Sequence, residues 1–432
     1  MTADTATHRL IRQRDVALSV LAEVSAAVAA GQPADATLAR VFNQHPMLGS
    51  RDRRRCAHVL FAQFRWLGWT THLAPSSLLH QVAWSLALEP DPASAAPDPA
   101  VTAWRAETGL TEAESIALAR ADLATKAALL RQHAPETHLA PADLLPAWTA
   151  DALDPGLDLA TFITAVQSRP PTWVWIEPYR RAAFAAMLTA QRLDHHLHPL
   201  LPGAVAIATP FQRQLLERAW GGPIQIQDIG SQAVAAICAA RPGESWWDAC
   251  SGAGGKTLHL ARQVGTSGSV IATDIRPTVL ANLQRRAAEN RLTQITALPL
   301  DSANDVPPGR IFDGVLVDAP CSGLGTWPRN PDARWRTGPD DLARHAETQR
   351  RLLHHVAPRV KAGGRLVYAL CTLTRLEAHA VTAWFLERHP EFAPDPFIDP
   401  LRGVTIDGER FIHPGEGPGD GMFVAAFRRD PT

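Results

Sequence analysis

The stretch Trp246-Trp247-Asp248-Ala249-Cys250-Ser251-Gly252-Ala253-Gly254-Gly255-Lys256-Thr257 confines the chain to few folds. Trp246, Trp247 and Ala249 form the apolar end of a buried strand. Gly252, Gly254 and Gly255 permit backbone angles that a side chain forbids. Leu258, Leu260, Ala261 and Val264 then supply an apolar helix face. A strand, a glycine turn and a helix start bring the backbone close to a ligand, with helix-end amides facing it. The same alternation continues along the chain. Strands are expected at 245–250, 269–274, 295–300, 312–318 and 364–370, helices at about 256–264, 277–290 and 340–357, and a last strand at 422–427. Strands separated by helices predict an α/β fold built on a parallel, doubly wound, Rossmann-like sheet. Such sheets bind ligands at the carboxyl ends of their strands. Asp248, Asp274, Asp301, Asp318 and Cys371 all fall at or beside such ends.

The glycine turn discriminates among ligands. A P-loop needs Gly-x-x-x-x-Gly-Lys-[Ser/Thr]. Gly255-Lys256-Thr257 matches its end, but its first glycine would fall on Cys250. A dinucleotide fingerprint needs Gly-x-Gly-x-x-Gly, and its third glycine would be Thr257. A nucleoside-type cofactor such as S-adenosylmethionine remains. An acid about 20 residues beyond such a turn grips a ribose, and Asp274 ends the next strand at that spacing.

Two strand ends carry cysteines. Asp318-Ala319-Pro320-Cys321-Ser322-Gly323 follows one apolar run, and Cys371-Thr372 follows Leu366-Val367-Tyr368-Ala369-Leu370. A lone cysteine is usually a small buried hydrophobe, whereas two at one edge of a cofactor-binding sheet suggest reactive thiols. With Asp274-Ile275, Arg329-Asn330-Pro331-Asp332-Ala333-Arg334-Trp335 and Asp420-Gly421-Met422-Phe423, these stretches run in one order over roughly residues 210 to 428. That half resembles the Sun (RsmB-type) family of RNA cytosine-5 methyltransferases. Asp52-Arg53-Arg54 and the helix to Trp66-Leu67-Gly68 resemble the NusB-like RNA-binding domain of RsmB-type members.

The resemblance implies residue roles. Cys250, Ser251, Gly252, Ala253, Gly254, Gly255 and Lys256 wrap the methionine part of S-adenosylmethionine, Asp274 binds the ribose, and Asp301 lies by the adenine. Asp318 faces target base and cofactor, Cys371 is the nucleophile, and Cys321 assists product release. The implied reaction is methylation of cytosine carbon 5 in RNA, ribosomal RNA foremost, through a covalent cysteine adduct. The rival is a non-catalytic RNA-binding or ribosome-assembly protein that keeps the fold. Four positions depart from the family pattern. Ala253 replaces a common proline, Pro328 stands at a common arginine, and Trp173-Val174-Trp175-Ile176-Glu177 replaces an Arg-Val-Asn segment. Arg375-Leu376-Glu377-Ala378 keeps one acid of Pro-Glu-Glu-Asn.

The remaining organisation follows from composition and punctuation. The 432 residues suggest two or three domains. These are an all-α domain over 1–132, a proline-punctuated linker over 133–156, a small α+β module over 157–222 and the α/β domain over 223–432; the resemblance makes the first two folded parts RNA-binding and the last the methyltransferase. Val16, Val20, Val24 and Val28 recur at helical spacing in an expected helix over 8–30. A proline-rich exposed loop is expected between Glu89 and Pro99. Net charge is −1, so any nucleic-acid footprint must be local. Two segments are candidates: the cluster Arg51, Arg53, Arg54, Arg55, and residues 328–365, with nine Lys or Arg against four acids. Five scattered cysteines argue against a disulfide framework and a zinc site, and His195, His196 and His198 look like a solvated loop. No apolar run is long enough for a bilayer, and 1–14 lacks a signal-peptide core. A cytoplasmic monomer acting on RNA, without metal or membrane, is the expectation.

Overall fold

The computed structural model describes residues 3–90, 98–307 and 309–432, with side chains from Arg14 onward. Residues 91–97 of the proline-rich stretch lie outside the described residues. The chain forms two compact units. One comprises Met1–Asp151, Asp158–Arg169 and Trp327–Gly338; the other comprises Ala152–Leu157, Pro170–Thr326 and Pro339–Thr432.

The first unit is helical among its described residues. Helix Ala3–Ala29 carries the valine stripe inward, with Val20, Val24 and Val28 buried. Helices Ser50–Leu73 and Leu78–Leu88 pack beside it, sharing a core with Val59, Leu60, Val82 and Leu86. Residues 133–151 are part of this unit rather than a linker. Leu139, Leu144 and Thr149 are buried, and the Trp69 indole donates to the Ala140 carbonyl at 2.7 Å. A Cβ on Gly68 would lie 1.8 Å from the Asp143 carbonyl oxygen, so only glycine admits this turn. The prolines there mark turns pressed against a helix. The boundary at 157 also moves, because helix Leu159–Val166 belongs to the helical unit.

Trp327–Gly338 joins the helical unit from far along the chain. Arg334 is fully buried and donates to the carbonyls of Leu144 and Val166. Asp332 accepts from the Ala34 amide at 3.1 Å, and the Trp335 indole donates to the Phe64 carbonyl at 2.7 Å. The family-like motif around Arg334 is therefore a packing element of this unit.

The second unit contains a small antiparallel sheet in the order His195–Leu197, Ala204–Ile207, Thr172–Trp175, Gln225–Ile226. Helices Arg181–Ala190 and Arg213–Trp220 cover it with Phe184, Leu188 and Leu216. The histidine run is thus a strand and not a loop; the His198 ring accepts from the Leu201 amide at 3.0 Å. Trp173 is buried with its indole on the Pro418 carbonyl, and the Trp175 ring lies 4.3 Å from the Arg262 guanidinium. These departures from the family pattern are packing groups.

The main sheet has the expected α/β architecture. Its strands are β1 Ser245–Asp248, β2 Ser269–Asp274, β3 Ile295–Pro299, β4 Phe312–Asp318 and β5 Val360–Leu370. They run parallel in the order β3-β2-β1-β4-β5. Both faces are covered, which is why their central residues are continuously apolar. The sheet is mixed at one side. Adding β6 Phe392–Pro394, β7 Glu409–Ile412 and β8 Met422–Arg429, the last strand β8 runs antiparallel to β5 and pairs with β6 and β7. Helix Ile229–Ile237 had no periodic signature, because it is buried almost all round. The strand order reverses between β1 and β4, and a crevice opens at their carboxyl ends.

Candidate active site

The glycine turn leaves β1 as the sequence predicts. Gly252 and Gly254 have φ of +51° and +84°, in the left-handed region. A Cβ on Gly254 would lie 2.1 Å from Leu283 Cδ1, so helix Pro277–Glu289 presses directly on the turn. Beneath the turn, Thr257 Oγ1 donates to Asp248 Oδ2 at 2.7 Å. Asp248 is almost fully buried and its other oxygen has no partner among the described residues. Burial pushes its pKa up to about 7.

A cavity of about 640 Å³ spreads from this turn across the strand ends. Cys250, Ser251, Gly252, Ala253, Gly255, Lys256, Asp274, Asp301, Asp318, Cys321 and Cys371 all line it, so the structure brings together every predicted site residue except Gly254, which supports the turn from behind. The buried Ser251 hydroxyl has no partner within the described residues. Asp274 accepts from the Gly252 amide at 3.0 Å. Burial opposes its charge, but hydrogen bonds from Arg276 outweigh this and hold its pKa below the usual carboxylate value. Both oxygens are engaged by the Arg276 guanidinium, whose side chain is largely exposed. Ile275 lines the same cavity and is 67% exposed, an apolar surface beside a carboxylate. Arg276 and Ile275 had no assigned role from sequence; the signal available was their place immediately after the strand-end acid.

Lys256 reaches across the cavity floor as well as lining it. Its ammonium is buried and donates to Asp318 Oδ2 at 2.7 Å. Burial disfavours the charge, but Asp318 and the nearby Cys371 sulfur outweigh it, and the pKa is raised. Cys250 sits among Asp248, Asp318, Asp274 and Asp301; burial first, then these charges, push its thiol well above its usual value. It is therefore a neutral wall of the cavity.

The two remaining thiols meet because of strand register. In the β4–β5 pair Asp318 lies opposite Ala369, so Cys321 and Cys371 leave adjacent strand ends. Their sulfurs are 3.3 Å apart. The hydrogen bond with Cys371 and burial raise the Cys321 pKa well above the ordinary value, so Cys321 stays in its thiol form beside the Cys371 sulfur. Cys56 and Cys238 are buried elsewhere, with thiols pushed up to about 11 and about 12 by burial.

The charge count over 328–365 does not make a free basic patch. Arg334 is buried, and Arg336, Arg344, Arg350, Lys361 and Arg365 pair with Asp332, Asp341, Glu347, Asp313 and Asp395. Among the described residues no group of three His, Cys, Asp or Glu side chains could hold a metal, and no helix is long and apolar enough to cross a membrane.

Residues 235–428 match the family model described as 16S rRNA methyltransferase RsmB/F. That segment is similar to the RsmB/F methyltransferase family. A probable ribosomal RNA small subunit methyltransferase B of Bacillus subtilis is 36% identical over 237 residues, 53% of this chain and 51% of that protein. The corresponding protein of Yersinia pestis is 30% identical over 267 residues, 61% of each. The chain thus spans half to three fifths of the curated relatives it matches. The crystal structure of PH0851 superposes with a TM-score of 0.70 at 20% identity, covering 96% of this chain and 99% of that one. NSun6 from Pyrococcus horikoshii with SFG superposes at 0.54 and 15% identity, covering 62% and 93%. These likenesses show a shared fold. Both cysteines, Asp274 and the glycine turn lie inside the RsmB/F segment.

Proposed function

We propose that this chain is an S-adenosylmethionine-dependent methyltransferase that modifies carbon 5 of a cytosine in small-subunit ribosomal RNA. The observation that carries the reading is the pair of thiols 3.3 Å apart, opening into the cavity that also holds Asp274. The cofactor fits the residues present. The glycine turn and the unpaired Ser251 hydroxyl suit the methionine end, Asp274 the ribose hydroxyls, and Ile275 and Asp301 the adenine. When bound, it supplies an electrophilic methyl group on a sulfonium.

Carbon 5 of cytosine is a weak nucleophile. The Cys371 thiolate adds to carbon 6, forming an S–C bond and making carbon 5 enamine-like. Lys256 lies close enough to Cys371 for the two groups to interact electrostatically. Carbon 5 then takes the methyl group, a base removes the carbon 5 proton, and the S–C bond breaks to return the thiolate. Cys321 stands beside that sulfur and assists the release. The target base leaves its stack to reach the cavity.

We further read the helical unit as a NusB-like RNA-binding domain, the small sheet as an RNA-contacting module, and the protein as a cytoplasmic monomer. Incubation with labelled S-adenosylmethionine and small-subunit ribosomal RNA, followed by bisulfite sequencing, tests the function. A protected cytosine that depends on the protein supports it. Cofactor binding without transfer to any RNA favours the non-catalytic assembly protein instead.

A further inference from the structure

Cys321 and Cys371 sit on different loops, and something must fix their spacing. Glu377, shortly beyond Cys371 in the chain, is fully buried. A buried carboxylate is costly unless its oxygens are hydrogen-bonded, and here the donors come from three segments. Ser322, next to Cys321, donates its amide to Glu377 Oε1 at 2.8 Å and its hydroxyl to Oε2. Thr374 and Thr372, following Cys371, donate hydroxyls to Oε2 at 2.7 and 3.3 Å. Gln349, from helix Pro339–Val356, donates to Oε1 at 3.2 Å and to the Pro320 carbonyl at 2.9 Å. The Glu377 backbone is held in turn, its carbonyl accepting from the Tyr368 hydroxyl at 2.9 Å.

We propose that Glu377 is the positioning residue that clamps the two thiol loops and sets the Cys321–Cys371 distance. The proposal rests on the reading of both thiols as the reacting pair. Only a carboxylate offers acceptor sites alone to so many converging donors. Alanine would leave the Ser322 amide buried without a partner, while glutamine would keep part of the network, since the hydroxyls can rotate to accept from its amide. The Glu377 charge is also one of the contributions, after the Cys371 hydrogen bond and burial, that keep Cys321 protonated.

The test measures thiol spacing in the full chain without reference to methyl transfer. A dibromobimane bridge between Cys321 and Cys371, located by peptide mass spectrometry, is compared with single-site labelling by monobromobimane. Glu377→Ala is expected to lower the bridged-to-single ratio at least tenfold and Glu377→Gln to fall between it and the wild type. An unchanged ratio in Glu377→Ala overturns the clamp. Should that variant not fold, Ser322→Ala and Thr374→Val each remove one donor; a lower ratio in both supports the proposal and an unchanged ratio in both overturns it. Failure of the wild type to methylate RNA would reject the functional reading and leave this measurement standing.

Discussion

The Cys371 hydrogen bond and burial hold the Cys321 thiol well above its ordinary pKa, and in the proposed mechanism Cys371 is the sulfur that attacks. Cys371→Ala is therefore expected to abolish methylation and form no RNA adduct. Cys321→Ala is expected to attack, release slowly and accumulate a covalent protein–RNA species on denaturing gels. An adduct trapped by Cys371→Ala alone would reverse the roles. Asp274 is the second test at this scale. Charge-assisted hydrogen bonds contribute about 1.5–3 kcal/mol, so Asp274→Ala should weaken S-adenosylmethionine at least tenfold in calorimetry. Arg276 already engages both Asp274 oxygens, so a ribose held there as proposed would have to share or displace it. Asp274, Cys321 and Cys371 were legible because strand-end chemistry is local. The Lys256–Asp318 pair and the Glu377 network were not, since their partners lie up to 62 residues apart.

The glycine turn and its helix behave as one element. Gly254→Ala combines a φ of +84° with a Cβ 2.1 Å from Leu283 Cδ1. Strain of this kind costs about 1–3 kcal/mol, and a thermal melt should show a matching loss; an unchanged melt would mean that helix Pro277–Glu289 yields. On the same helix as Lys256, His259 is buried against the Gln227 side-chain oxygen at 2.8 Å. Burial, then Arg262 and Lys256, lower its pKa to about 3. The unfolded chain, titrating near 6.5, binds this proton more readily than the folded one. The His259 contribution is therefore complete above about pH 6.5 and is lost as pH falls towards about 3, at up to ~1.4 kcal/mol per unit. Urea titrations at about pH 7.5 and about pH 5, either side of the ordinary histidine value, should show the loss, and His259→Gln should reduce it; an equal slope in both proteins would assign it elsewhere. Parallel strands and their helices were legible from period and turn residues. Helix Ile229–Ile237 and the antiparallel direction of β8 were not, because burial on all sides erases period, and strand direction depends on where the chain returns.

At the scale of the molecule, the arginine cluster divides into two kinds of residue. Arg55 is buried and paired with Asp98 and Asp52, and Arg53 donates to the carbonyls of Leu48 and Phe42. Arg51 and Arg54 are exposed. Replacing Arg51 and Arg54 with alanine should weaken RNA binding and reduce its salt slope by about 0.7 to 0.9 for each phosphate no longer neutralised. Filter binding across a salt series checks this, and an unchanged slope would make both arginines a solvated face. Arg55→Ala should instead act on stability, because it removes the guanidinium that Asp52 and Asp98 share.

The sequence by itself determined the sheet that holds the site, the turn that opens it and the residues that line it. Each of these follows from side-chain period, glycine conformation or a short motif, all carried by neighbouring residues. Tertiary structure alone decided which distant segments belong together. The segment around Arg334 completes the helical unit because carbonyls of Leu144 and Val166 converge on one buried guanidinium. The two thiols meet because β4 and β5 are paired in a register that places Asp318 opposite Ala369. Neither the convergence nor the register is written in local pattern, since both are fixed by the packing and pairing that satisfy buried polar groups across the whole chain.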